Sequence, residues 1–519
     1  MKASGTRRRF LGRVGKGTLL ATVGPSLAVE LGLVESTWAE GSDVELNFGD
    51  QEKLVRFMQD TSVENLQAGL MKKLHEGVPL QGLVAAGALA NARTFAGEDY
   101  VGFHTIMALG PALKMAGAMP NKLQALPVFK VLFRNTNRIQ EKGGRSAEAL
   151  HRVEEKGSEK AASAQDLLKM VKSQKVGGTE KMFDSMVRRD VGAAFDALLH
   201  SVQEDTEVHR TVLPYRAWEL IDVVGKEYAS VLLRQSLRYC LRAEKRRRPE
   251  WEEHGKVLTA LLDEHKLLGR EPGNKRAEDE FIQVLSEAIF AGTPREAASA
   301  AASALGEGFT PSEVGEAISL AANQLVLRDH GRIPEWEIPG KVVGSVHGDS
   351  IGVHASDSAN AWRNLASVSH GRNVYACLIL GAWQVARDRT DRGGDFLNWK
   401  PVPSGRFIRE VSESRAEPML GLLREAIQAN LQSRAAGIVH QYGKMGHPPK
   451  ALISVLLDYA VSQDGALHAE KYFQTAWDDF HATRPAFRWR HLIALARVTA
   501  SEYGYPAAGQ SEARRLIGA

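Results

Sequence analysis

The sequence predicts an all-α protein assembled from two related helical halves. Helix-start signals are explicit: Thr293-Pro294-Arg295-Glu296 offers an N-cap, a proline at the first helical position and a glutamate three residues on. Thr310-Pro311-Ser312-Glu313 repeats that capping box. Apolar residues recur at helical spacing, as in Leu220, Val223, Val224, Tyr228, Val231 and Leu232, and again in Leu452, Val455, Leu456 and Tyr459. Sustained period-two alternation, the mark of strands, is absent.

Taken in order, Leu74-His75-Glu76-Gly77-Val78-Pro79 opens an Ala/Leu-rich helix. Val101-Gly102-Phe103-His104 opens another, expected to end near Leu113, with Pro111 introducing a kink. Loops are expected at 143–157, at Gly178 and at 270–275. The Ala-rich stretch 297–304 has high helix propensity and is stopped by Gly306 and Gly308. A helix follows Thr310, another runs from Ile351-Gly352-Val353-His354 to Leu365, and 389–406 reads as irregular.

This order repeats. Each half runs Glu-Gly, proline, Ala-rich helix, then Gly-x-His at the head of a new helix. A further histidine-bearing segment follows, at His209 in one half and His440 in the other. A duplication sets the boundaries at 40–275 and 276–519, and clefts form where such halves meet.

The N-terminus is different in kind. Thr6-Arg7-Arg8-Arg9-Phe10-Leu11, followed by an apolar run diluted by Gly15, Gly17, Gly24 and Glu30, resembles a twin-arginine export signal. The run is too polar for a stable membrane span. Thr37-Trp38-Ala39 offers a cleavage site ahead of Glu40. That resemblance implies residues 1–39 as signal peptide, the twin-arginine export machinery as a partner, and a periplasmic or extracellular destination reached after folding. The chain carries 66 basic and 62 acidic residues, and removing the signal takes six and two of them, leaving 60 of each. A nucleic-acid-binding role loses its support with that excess. Cys240 and Cys377 stand alone in apolar helical context and read as buried free thiols.

Candidate chemistry rests on histidine. His354 opens a helix with Asp357 at i+3, so the carboxylate shares its face and can orient a metal-ligating imidazole. His104 holds the matching place in the first half. His209, with Asp205 four residues before it, and His468, with Lys471 and Tyr472 on its face, complete the set. His370 faces away from His354. Four histidines on separate helices are what iron, copper or haem would need. Paired Glu-x-x-His motifs of carboxylate-bridged di-iron proteins, HExxH, phosphate loops and Gly-x-Ser-x-Gly elbows are absent.

Gly352-Val353-His354 through Ala361-Trp362-Arg363, with Gly102-Phe103-His104, resembles questin oxidase-like proteins. That resemblance implies a helical fold and an oxidative ring-opening activity with NADPH. Glu307-Gly308 through Ala321 is similar to the helical hairpin of carboxymuconolactone decarboxylase-like proteins, but the catalytic cysteine pair of their thiol-active branch is missing. The expectation is a metal- or haem-dependent oxidoreductase acting on a small molecule, with His104, His209, His354 and His468 as ligands and His354, His104 and Asp357 as catalytic groups. A helical scaffold, or a cofactor-free lyase or oxygenase with a histidine base, are the alternatives.

Overall fold

The computed structural model describes residues 45–153, 162–247, 252–339, 341–348, 350–391 and 393–518; the export-type segment lies outside them. Among the described residues there are 23 α-helices and no strand, so the protein is all-α. None of these helices is long and apolar enough to cross a membrane. Cys240 and Cys377 are buried and unpaired with each other.

Four helices form the inner ring: Tyr100–Ala118, Val208–Val224, Ile351–Val368 and His468–Ala482. Each packs on the next in that order and the last closes on the first. Two come from each half, so one hydrophobic core runs through both halves. The Tyr100–Ala118 helix is apolar on nearly every side, the composition of a helix surrounded by others. Burial holds it together through Pro111, which forfeits only one backbone bond, and the helix runs to Ala118 instead of ending near Leu113. Pro214 is carried inside Val208–Val224 in the same way.

The two Glu-Gly segments form the same helix stop. Gly77 and Gly308 both take φ +91°. Val78 N–H donates to Lys73 O and Gly77 N–H to Leu74 O, and Phe309 to Ala304 and Gly308 to Leu305 repeat the pair. This is the Schellman arrangement that a left-handed glycine permits. The two Gly-x-His segments also agree. A Cβ on Gly102 would meet the Phe95 ring at 2.6 Å, and one on Gly352 would meet Val326 N at 2.5 Å. In both halves the glycine two residues before the histidine lets its helix cross the end of the preceding one.

Other expectations need correction. Thr293 and Glu296 form the reciprocal capping box. At Thr310 only half of it exists, because Glu313 turns its carboxylate to Arg276 and Arg484. Gly178 lies inside helix Val176–Arg189, in the first turn, where backbone N–H groups lack helical partners in any case. The helix begun at Ile351 reaches Val368, and Arg372–Asp391 carries helix into the segment read as irregular. Residues 393–404 are irregular as expected, and a second long irregular connection lies between Arg328 and Ile351.

Candidate functional site

His104, His209, His354 and His468 converge, one from each helix of the inner ring, although up to hundreds of residues separate them in sequence. Each sits in the first turn or two of its helix. The capping residues set that position: Asp99 accepts from Gly102 N–H, Glu207 from His209 and Arg210 N–H, and Ser350 from Val353 N–H. All four helices therefore point their N-termini toward one place.

The imidazoles approach as two pairs. His104 Nε2 and His209 Nε2 are 3.2 Å apart, as are His354 Nε2 and His468 Nε2. Between pairs, the His104 and His468 ring centres are 5.1 Å apart and those of His209 and His354 5.9 Å. Among the described residues no group of three or more His, Cys, Asp or Glu side chains is placed to hold a metal ion; the closest nitrogen approaches lie within each pair. Relative exposures of 2, 4, 8 and 3 % for His104, His209, His354 and His468 exclude bulk water.

The opposite ring nitrogens are engaged. His104 Nδ1 lies 2.7 Å from Tyr100 O, His209 Nδ1 2.6 Å from Glu207 Oε1, and His468 Nδ1 3.2 Å from Ala466 O. A neutral imidazole has one N–H, and these acceptors draw it to Nδ1, leaving Nε2 as a lone pair. The His104 and His209 Nε2 atoms face one another at hydrogen-bond distance. Burial first, then the Lys471 ammonium, hold His104 and His468 well below the usual histidine range.

The carboxylates are arranged differently from the sequence expectation. Glu207, not Asp205, holds His209. Burial pushes the Glu207 carboxyl upward, but the His209 ring and the hydrogen bonds it accepts from His209 and Tyr239 outweigh this and keep it ionised. Asp205 instead accepts from Thr206 N–H. Asp357 accepts from Thr475 Oγ1 at 2.8 Å and lies close enough to feel the Lys471 charge. His468, not His440, joins the cluster; His440 sits half-buried on Gln432–Lys444. His370 is turned to Asp196 at the surface.

Three neighbours were not legible beforehand. Gly348 passes so close to His468 that a Cβ there would meet the His468 Cβ at 2.1 Å. Its N–H donates to Glu502 at 2.8 Å, and burial raises that carboxyl to about 8. His347 Nδ1 lies 3.6 Å from the same Glu502 oxygen. Glu207 had a signal, an acidic residue at the N-cap position two before a histidine. Glu502 had none, since it reaches the site from a different helix, Trp489–Glu502.

No protein-family model, curated protein or solved structure matches the chain.

Proposed function

We propose that the protein is an exported, metal-dependent oxidoreductase whose centre is held by His104, His209, His354 and His468 and acts on a small molecule. The observation that carries this reading is the repeated 3.2 Å approach of two Nε2 atoms. Two imidazole nitrogens bound to one ion through bonds of ~2.0–2.1 Å at a tetrahedral angle lie roughly 3.3 Å apart. A cation between the Nε2 atoms of each pair would match this spacing, and a modest inward movement lets both pairs share one ion. Haem fits poorly, because axial nitrogens on either side of it stand ~4 Å apart. Imidazole donors without thiolate suit iron, copper or zinc, and the redox assignment takes iron or copper from that set. Glu207 supports His209 from behind, the arrangement that fixes a ligating ring and raises its basicity. The export-type N-terminus agrees, because that route carries proteins already folded around a cofactor. The correspondence of helix stops and Gly-x-His crossings supports a duplication with halves 40–275 and 276–519, each supplying one histidine pair.

Elemental analysis and a visible spectrum of natively purified protein test the reading. Iron or copper near one equivalent is expected in the wild type. His354→Ala should lose it while helix content by circular dichroism stays near normal. Stoichiometric metal retained in His354→Ala, or none in the wild type under metal-replete expression, favours a helical scaffold instead.

A further inference from the structure

Three of the four histidine helices begin at a residue whose side chain caps them: Asp99, Glu207 and Ser350. The fourth does not. Leu467 stands at the N-cap of His468–Ala482, and its side chain makes no capping bond. His468 is the first residue of that helix. The backbone just before it therefore decides where the imidazole points.

That backbone is unusual. Gly465, Ala466 and Leu467 take φ +50°, +48° and +67° in succession. In this left-handed region an L-residue brings its Cβ close to the following carbonyl oxygen, so such residues normally occur singly and as glycine. Ala466 and Leu467 carry that strain, and the surroundings have to hold them in it. Leu467 is buried in the core. Gln463 Oε1 accepts from Gly504 and Tyr505 N–H at 3.0 Å each, and Asp464 N–H donates to Tyr505 O at 2.8 Å.

Lys130 spans the turn. Its Nζ donates to Ala460 O at 2.8 Å and to Gln463 O at 2.5 Å, at the end of helix Pro449–Ser462. It also pairs at 2.6 Å with Glu470, in the first turn of the helix that His468 opens. Lys130 and Glu470 are both buried, so water does not compete for these contacts. The turn held in this way presents Ala466 O to His468 Nδ1 at 3.2 Å. On another side Gly348 passes where a Cβ would meet the His468 Cβ at 2.1 Å. Between the two, His468 Nε2 is left 3.2 Å from His354 Nε2.

We propose that the left-handed turn Gly465–Leu467, held by Lys130, is the positioning device of His468. Lys130 and Ala466 are positioning residues: one fixes the turn, and the other supplies the carbonyl that keeps the ring proton on Nδ1. The use of the freed Nε2 rests on the metal-centre reading, but the positioning does not. Glycine at position 466 would enter this conformation freely and leave it as freely. Alanine stays there only while its surroundings hold it. Lys130 comes from helix Ala125–Glu141 in the first half, whereas the groups it holds belong to the second. His468 therefore takes its place only when the two halves close on each other.

The test begins with metal-free protein carrying ¹⁵N-labelled histidine. His468, assigned by its loss in His468→Gln, should show one fixed tautomer in the wild type, with the proton on Nδ1. In Ala466→Gly, and in Lys130→Met with Glu470→Gln, which removes both charges together, its ring signals should become those of an exchanging imidazole. The His104 signals should stay as they are. Ala466→Gly should also keep its denaturation midpoint at or above that of the wild type, because glycine takes φ +48° without the Cβ clash. This variant carries the decision whether or not the paired one folds. Unchanged His468 signals in Ala466→Gly overturn the proposal. So does a change that comes with a lowered midpoint, the mark of an ordinary structural turn. The second arm titrates cobalt(II) alone, and its affinity should fall by about tenfold or more in Ala466→Gly, the range for a lost partner behind a ligating imidazole. Wild-type affinity in that variant overturns the positioning. Failure of cobalt(II) to bind the wild type removes the metal-centre reading instead, and the ring signals then decide the positioning by themselves.

Discussion

At the scale of single residues, burial of charge decides the behaviour of this site. Glu502 illustrates it. Its carboxyl is raised to about 8 chiefly by burial, with the Gly348 N–H and Lys130 opposing. In the unfolded chain the same group ionises near the ordinary glutamate value of 4.5. Between those two values the unfolded state has released a proton that the folded state keeps, so the folded protein loses stability as pH rises through that window. Glu502→Gln keeps an acceptor for Gly348 N–H and removes the ionisation. Its unfolding free energy should equal that of the wild type near pH 4.5 and exceed it progressively up to pH 8, by about 3–5 kcal/mol at the upper limit. A difference that is flat with pH would mean that Glu502 ionises normally in the fold. His104 and His468 contribute in the opposite sense. Their folded values lie below the unfolded one, so their contribution is present above about pH 6.5 and is lost as pH falls below it.

At the scale of elements, glycine sets how closely helices cross. Gly352 lies against the backbone of Leu325 and Val326, which cannot rotate away, whereas Gly102 faces the Phe95 ring, which can shift. Gly352→Ala should therefore lower the unfolding free energy by about 1–3 kcal/mol, the range for overpacking, and Gly102→Ala by less. Gly421, helical and with nothing within 4 Å of its missing Cβ, is the control. Gly421→Ala should stabilise by about 0.5–1 kcal/mol through helix propensity and a less flexible unfolded chain. Chemical denaturation of the three variants checks the order, and a Gly352→Ala protein as stable as Gly421→Ala would refute the crossing argument. The same elements show where propensity gave way. The capping signal at Thr293 and the glycine stop at Gly308 were readable because they act within a few residues. Pro111 and Gly178 misled because burial of the whole helix outweighs one lost or weakened local interaction.

At the scale of the whole molecule, the centre exists only when both halves are folded together, since each half supplies two of its four helices. The proposed export of a folded chain is compatible with a centre assembled in this way. Arg7→Lys with Arg8→Lys should leave the precursor in the cytoplasm, because recognition of a guanidinium pair is not reproduced by ammonium groups. Fractionation followed by immunoblotting decides this, and normal export of the double variant would end the export proposal.

The sequence by itself determined the helical class, the places where the principal helices begin, and the four histidines worth watching. Each of those is written in short-range pattern: caps, glycine stops, helical spacing and an unusual residue in a turn. The tertiary structure decided the rest. Only the closed ring of four helices, with all N-termini at one end, brings His104 to His209 and His354 to His468 at 3.2 Å. Only packing made Glu207 rather than Asp205 the partner of His209 and set His468 rather than His440 opposite it. Packing also buried Lys471 and Asp357. Local pattern carries no record of which helices will be neighbours. Neighbours fix desolvation and distance, and with them the chemistry of a side chain.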